Sequence, residues 1–100
     1  MRTFTLTNKA KADLKSIAAY TQRQWGKDQR KTYVRKFDDA FHMLSETPEL
    51  GNKCDFIKQG YRKFPVSSHV LFYHNIGQFE IEFVRILHKR MDAKTQFEIL

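Results

Sequence analysis

The chain has 100 residues, a net charge of +7 and abundant aromatics, nine of them Phe. That length leaves room for one domain over residues 1–100 and no second core, and aromatic burial can stabilise it without disulfides or metal. One cysteine excludes an internal disulfide, no stretch approaches the ~20 apolar residues of a membrane span, and the N-terminus lacks a signal peptide's apolar run, so a soluble protein of a reducing, cytoplasmic compartment is expected.

In chain order, Thr3 and Thr5 alternate with Phe4 and Leu6, which predicts a short strand with one buried face. Thr7 or Asn8 then offers a capping oxygen to a helix whose inner face is Ala10, Leu14, Ile17, Ala18, Thr21 and Trp25. Gly26 ends it in a left-handed conformation. Asp28 is placed to cap a second helix running to about Glu46, with the stripe Tyr33, Val34, Phe37, Ala40, Phe41 and Leu44; Thr47-Pro48 stops it. So short a joint forces the helices into an antiparallel hairpin, and stripes this aromatic need a sheet beneath them.

Pro48 to Gly60 reads as irregular, with Gly51, Asn52 and Gly60 as turn residues. Three strands follow. Tyr61–Val66 carries Pro65, which cannot donate to a ladder and so marks an edge or an end. His69–Asn75 is almost wholly apolar or aromatic, and Asn75–Gln78 is a tight turn in which Gly77 can take positive φ. Phe79, Ile81 and Phe83 then alternate with Glu80 and Glu82. From Phe83 to Leu87 both faces are apolar except at Arg85, the pattern of a central strand. It leaves the core through His88-Lys89-Arg90, and Asp92 caps a last helix. The expected fold is α+β in two layers: an N-terminal strand, an antiparallel helical hairpin packed on a small antiparallel meander sheet, and a short C-terminal helix.

The positive charge is concentrated. Nine Lys and Arg but only Asp13 and Asp28 lie between Lys9 and Lys36, so this segment holds a surplus equal to that of the whole chain. It is either a solvated helix face or a surface for an acidic partner, nucleic acid or polypeptide.

No phosphate loop, nucleophile elbow or dinucleotide turn is present. His42, His69, His74 and His88 lack metal-ligand spacing, so neither a metal nor a cofactor is expected. Cys54, between Lys53 and Asp55, reads as an ordinary loop thiol. His69 opens one strand and His88 closes the next, which an antiparallel pairing brings together. Arg62, Arg85, Lys89 and Arg90 come from the same strands and form either a basic rim able to hold phosphate or a mere fringe, with Arg85 paired to a carboxylate such as Glu80 or Glu82. Trp25 beside Gly26 either anchors a partner or folds onto the core.

The chain as a whole resembles the ParE family of toxin–antitoxin toxins, within the RelE/ParE superfamily. The residues that carry the resemblance run from Leu6-Thr7, Ala10, Asp13-Leu14 and Ile17 through Tyr20-Thr21, Trp25-Gly26 and Gln29 to Phe41, Leu44 and Pro48–Gly51. It continues through Gly60–Val66, His69-Val70 and Phe72-Tyr73 to its most specific run, Arg85–Asp92. The resemblance implies a toxin that inhibits DNA gyrase without being an enzyme and is neutralised by a ParD-like antitoxin, with operator DNA reached only through that antitoxin. It makes Trp25, Arg85, His88, Lys89, Arg90 and Met91 candidates for gyrase contact. The basic hairpin residues Lys11, Lys15, Arg30 and Lys31 are the candidates for antitoxin contact. The superfamily's other branch, ribosome-dependent mRNA endonucleases, is the alternative. Against it, His69 stands where that branch has an Arg, and Gln96 and Phe97 stand where it typically has a Tyr.

Overall fold

The computed structural model describes residues 2–98. Its elements are β1 (Thr3–Leu6), α1 (Asn8–Trp25), α2 (Lys27–Glu46), a 3-10 turn (Pro48–Leu50), β2 (Asn52–Lys53), β3 (Arg62–Val66), β4 (His69–Asn75), β5 (Glu80–His88) and α3 (Ala93–Glu98). The sheet has five strands in the order β1-β5-β4-β3-β2, antiparallel except where β1 runs parallel to β5. The α+β architecture is the expected one, with two differences in the sheet. β4 is its middle strand, with β5 interior between β4 and β1. The two-residue β2 lies inside the stretch read as irregular, because a strand that short has no period to detect.

Thr7 caps α1, its hydroxyl accepting from the Ala10 amide at 3.1 Å. Asp28 does not cap α2. Gly26 occupies that position and Asp28 falls in the first turn, where its charge still complements the helix dipole. Gly77 does not have positive φ; among the described residues only Gly26, Gly60 and Ser67 do.

The hairpin lies on one face of the sheet. Phe37, Phe41 and Leu44 from α2 pack with Leu71, Tyr73, Ile81, Phe83 and Ile86, while Leu14 and Ile17 of α1 close the margin. The opposite face is covered too. There Tyr61, Phe72, Val84, Leu87 and the fully buried Cys54 pack beneath Ala93 and Phe97 of α3, so a partial third layer adds to the two expected. Cys54 is therefore no loop thiol of ordinary acidity: burial raises its pKa, outweighing the opposing effect of Lys63. Tyr73 is buried with its hydroxyl satisfied twice, donating to Pro48 O at 2.6 Å and accepting from the Gly51 amide at 2.9 Å. A side chain at Gly51 would overlap that hydroxyl, which is why a glycine stands there.

Residues on both faces of β5 are buried because its alternation is broken. The step from Phe72 to Tyr73 on β4 is matched by two steps on β5, from Arg85 to Phe83. Val84 is the extra residue of a β-bulge, so Phe83 and Ile86 both reach the hairpin side while Val84 and Leu87 reach the other. The bulge falls where β1 stops, since Leu6 pairs with Phe83 and no further partner follows. Side chains of the Thr7 cap and α1 take over there. The Thr7 hydroxyl donates to Val84 O at 2.9 Å, and Asp13 Oδ2 accepts from the Ile86 amide at 2.9 Å. Asp13 also takes a two-pronged bond from Arg85, at 2.8 and 3.1 Å. Arg85 thus pairs with neither Glu80 nor Glu82, and Glu82 is instead engaged by His74 at 3.0 Å.

Removing the Asp13 carboxylate would leave a largely buried guanidinium and a backbone amide unsatisfied, so Asp13→Ala should cost about 2–4 kcal/mol. Urea unfolding would measure it, with Asp13→Asn losing less because one acceptor oxygen remains. A midpoint within error of the parent's for Asp13→Ala would show that this contact does not fasten helix to sheet.

Candidate functional site

Two concave surfaces flank the hairpin, and the residues singled out from sequence divide between them. The first is a groove of about 710 Å³ along the seam of α1 and α2. Its floor is apolar (Leu14, Ala18, Val34, Phe41) and its rim carries Lys11, Lys15, Arg30, Lys31 and Arg35 with one carboxylate, Asp38. All four hairpin residues named as antitoxin-contact candidates therefore line one surface. Positions 11 and 15 are a helical turn apart on α1, and 30 and 31 face them from α2 because Gly26 reverses the chain.

The second surface, a cleft of about 600 Å³, lies where the hairpin tip meets the ends of β4 and β5. Its lining includes Tyr20, Trp25, Gln29, Tyr33, Ser68, His69, His88 and Met91. The tip turns on Gly26 alone. At φ 92° and ψ 174° its amide closes α1 onto Gln22 O, while its carbonyl accepts from the Arg30 amide and opens α2. The positive φ is as expected, but ψ is extended rather than left-handed helical because the next helix begins at once. The last turn of α1 faces the start of α2, where Arg30 donates to Gln22 Oε1 at 2.6 Å, and no core residue is near its tip. Trp25, which continues the inner stripe by spacing, is consequently 72% exposed and not on the core.

The floor of the cleft is an imidazole pair. His69 and His88 face each other across the β4–β5 ladder with ring centroids 5.2 Å apart. Tyr33 reaches down from α2, its hydroxyl 2.8 Å from His69 Nδ1. Burial lowers the His69 pKa, and His88 lowers it further against the weaker pull of Asp13. His69 is thus neutral at pH 7, its Nδ1 sharing one hydrogen bond with the Tyr33 hydroxyl. Ser67 takes a left-handed φ of 53° in the two-residue turn between β3 and β4, and the Ser68 carbonyl accepts from the Lys89 amide at 2.9 Å. His88 pins the segment that follows it, its carbonyl accepting from Met91 N at 2.9 Å and its Nδ1 from Arg90 N at 3.1 Å.

Of the six gyrase-contact candidates, Trp25, His88 and Met91 line this cleft, and the exposed Lys89 and Arg90 border it in sequence. Arg85 does not join them; its side chain is 14% exposed and held by Asp13. Of the two readings of Arg62, Arg85, Lys89 and Arg90, the common rim does not form: Arg85 is paired to a carboxylate, and Arg62 donates to Gly51 O at 2.7 Å. Phe97 is spent on packing against Phe72. Tyr20 and Tyr33 are cleft residues that sequence reasoning did not assign to the site. Tyr20 sits off the apolar stripe of α1, the one signal that marks it as a surface aromatic. Among the described residues no cluster of His, Cys, Asp or Glu is arranged to hold a metal, and no helix is long and apolar enough to cross a membrane.

Residues 4–93 match the family model described as the ParE toxin of the type II toxin–antitoxin system parDE. The chain belongs to the ParE toxin family. Toxin ParE1 of Mycobacterium tuberculosis is 40% identical over 90 residues, covering 90% of this chain and 92% of that one. Toxin ParE1 of Caulobacter vibrioides is 35% identical over 94 residues, 94% and 96% of the two chains. A solved structure titled as the chromosomal ParDE system of P. aeruginosa shares the fold, with a TM-score of 0.75 at 21% identity over 88% of this chain and 96% of that one. The ParE match takes in every lining residue of both the groove and the tip cleft.

Because the folded state holds His69 with a pKa below its ordinary 6.5, the unfolded chain takes up its proton first as pH falls. The stability that neutral His69 contributes is complete above the unfolded value and is lost as pH drops towards the folded one. The parent should therefore lose more stability than His69→Gln between about pH 7 and pH 5. Urea midpoints at a series of pH values would give the difference. Parallel curves for the two proteins would show that His69 is not the group responsible.

Proposed function

We propose that this ParE-family toxin acts as one domain in the cytoplasm, poisoning DNA gyrase through the tip cleft without covalent chemistry of its own. A ParD-like antitoxin neutralises it by way of the hairpin groove, and operator DNA is met only through that antitoxin. The observation that carries the reading is the family match over residues 4–93, and gyrase inhibition is general to that family. The geometry supports it in two ways. A cleft built from exposed aromatic and thioether side chains, with two neighbouring cations, has the make-up of a contact surface. A groove with an apolar floor and five cations on its rim is complementary to an acidic amphipathic helix. Among the described residues no strand pairs with the outer edge of β3 beyond Lys63, which offers the same segment a place to add as a strand.

The target is tested by adding purified toxin to gyrase, with reduced supercoiling and accumulation of linear, cleaved DNA as the expected result. Unaltered supercoiling at a large molar excess of folded toxin would overturn the assignment. The groove is tested by reversing Lys11, Lys15, Arg30 and Lys31 to Glu together. All four are exposed, so the fold should persist, while antitoxin association at low salt slows roughly tenfold or more, since rim charges steer encounter. A rate and salt dependence equal to the parent's would place the antitoxin elsewhere.

The His69–His88 pair favours one second reading, RNA cleavage by general acid–base catalysis, as in the nuclease branch. The lining of the cleft argues against it, because it contains no Lys or Arg to stabilise a phosphorane. mRNA cleavage in a translating extract that disappears in His69→Ala would reverse this choice.

A further inference from the structure

We propose that the tip cleft is a binding site for an unpaired nucleobase, so that the toxin by itself holds a short segment of single-stranded nucleic acid. The proposal concerns the isolated protein and goes beyond the gyrase reading, which it does not require.

The starting point is where the chain leaves apolar surface in water. Tyr20, Trp25 and Met91 are 57%, 72% and 51% exposed, and all three line this one cleft. Exposed aromatics grouped in one concavity mark a binding surface rather than the usual scatter of single apolar residues. Tyr33 and the two imidazoles add further ring surface within the same concavity, with the Tyr33 and His69 centroids 5.8 Å apart. Its volume, about 600 Å³, falls within the roughly 300–1,000 Å³ of small-ligand sites.

The polarity of the lining narrows the occupant. No residue of the lining carries a fixed charge, and burial keeps His69 neutral. Gln29 and Ser68 supply hydrogen-bonding groups at the margin, and Gln29 is able to donate and accept at once. Uncharged, flat, aromatic and edged with donors and acceptors is the complement of a nucleobase, whose faces stack and whose rim hydrogen-bonds.

Charge supplies the second half of the ligand. Lys89 and Arg90 sit between the cleft residues His88 and Met91, both exposed, on a backbone pinned by the bonds to Ser68 O and His88 Nδ1. Across the β3–β4 turn, Lys36 Nζ lies 3.5 Å from Ser67 Oγ. Three cations thus flank an uncharged cleft, an arrangement that receives a base inside and its phosphates outside. A duplex does not fit, since its bases remain stacked and their faces are covered. The absence of cations inside also separates binding from cleavage, because no Lys or Arg of the lining could stabilise a developing phosphorane.

The chain has a single tryptophan, so the fluorescence of Trp25 reports the cleft directly. Titrating the toxin with a 12-nucleotide oligothymidylate should quench it saturably, and anisotropy of the end-labelled oligonucleotide should give the same dissociation constant. With two or three phosphates engaged, log Kd should rise with log salt at a slope of about 1.4–2.1. Tyr20→Ala and Trp25→Ala, both at exposed positions, should each weaken binding roughly tenfold by anisotropy. The double change Lys89→Ser, Arg90→Ser should flatten the salt slope and leave the quenching at saturation unchanged. An abasic oligomer of equal length and a duplex should bind at least tenfold more weakly.

Equal binding of the abasic oligomer or the duplex would reduce the effect to general electrostatics and overturn the proposal. So would full affinity in both aromatic variants. No binding of the oligonucleotide by a toxin that still poisons gyrase, with poisoning lost in Trp25→Ala, would make the cleft a protein-docking site and sink the nucleobase assignment while leaving the gyrase reading intact.

Discussion

The carboxylate of Asp13 is the contact on which the rest of the arrangement depends. It lies at the point where the parallel pairing of β1 with β5 has run out and the bulge at Val84 has displaced the next backbone groups from any ladder. Backbone groups so placed must find partners, because leaving them dry and unpaired costs on the order of 1–3 kcal/mol each. Two side chains close to the start of α1 supply those partners. Thr7 serves its own helix and Val84 O together, and Asp13 serves the Ile86 amide and the Arg85 guanidinium together. A helix is thereby sewn to a strand 72 residues further along the chain.

The bulge in turn fixes which way the functional end of β5 faces. Without the bulge, strict alternation from Phe83 would put Ile86 and His88 on the face opposite to Phe83 and the hairpin. With it, Ile86 joins the hairpin core and His88 emerges beside the tip, across from His69 and below Tyr33. The tip cleft thus follows from an irregularity four residues upstream of His88. The Asp13 bond that stabilises the irregularity also uses up Arg85, a strand residue whose charge was a candidate for partner contact.

What the sequence disclosed follows the range of the forces involved. Elements with a period of their own were legible: both helices, the alternation of β1, and the three strands of the meander with Pro65 at the open edge. So was the meeting of His69 with His88, because antiparallel pairing of consecutive strands is a local rule. The partner of Arg85 was not, since Glu80 and Glu82 are near in sequence and Asp13 is near only in space. Trp25 was left open between the inner stripe and a partner contact, since spacing along α1 cannot tell whether core packs over the helix end; it is 72% exposed. The exposure of Tyr20 and the reach of Tyr33 to His69 depend on the crossing of hairpin and sheet, and no window of residues encodes that crossing. The four hairpin cations, in contrast, were grouped from sequence and share one groove, since helix periodicity and a one-residue turn determine their positions almost completely.

Groove and cleft have no lining residue in common, although both are built on the same two helices. Positions 11, 15, 30 and 31 look outward along the seam, whereas 20, 25, 29 and 33 look towards the sheet ends. A peptide confined to the groove would therefore leave Trp25, His69 and His88 uncovered, and direct occlusion of the cleft requires a chain that continues past the tip. The groove has a second way to act, through charge. Its rim holds five of the basic residues of a chain whose whole surplus is +7, so an acidic helix seated there cancels much of the field that draws an anionic partner to the neighbouring Lys89 and Arg90. Such a field acts over roughly a Debye length, about 8–10 Å at ordinary ionic strength. Neutralisation by charge thus weakens as salt rises and neutralisation by occlusion does not, which makes the salt dependence of rescue the property that tells the two apart.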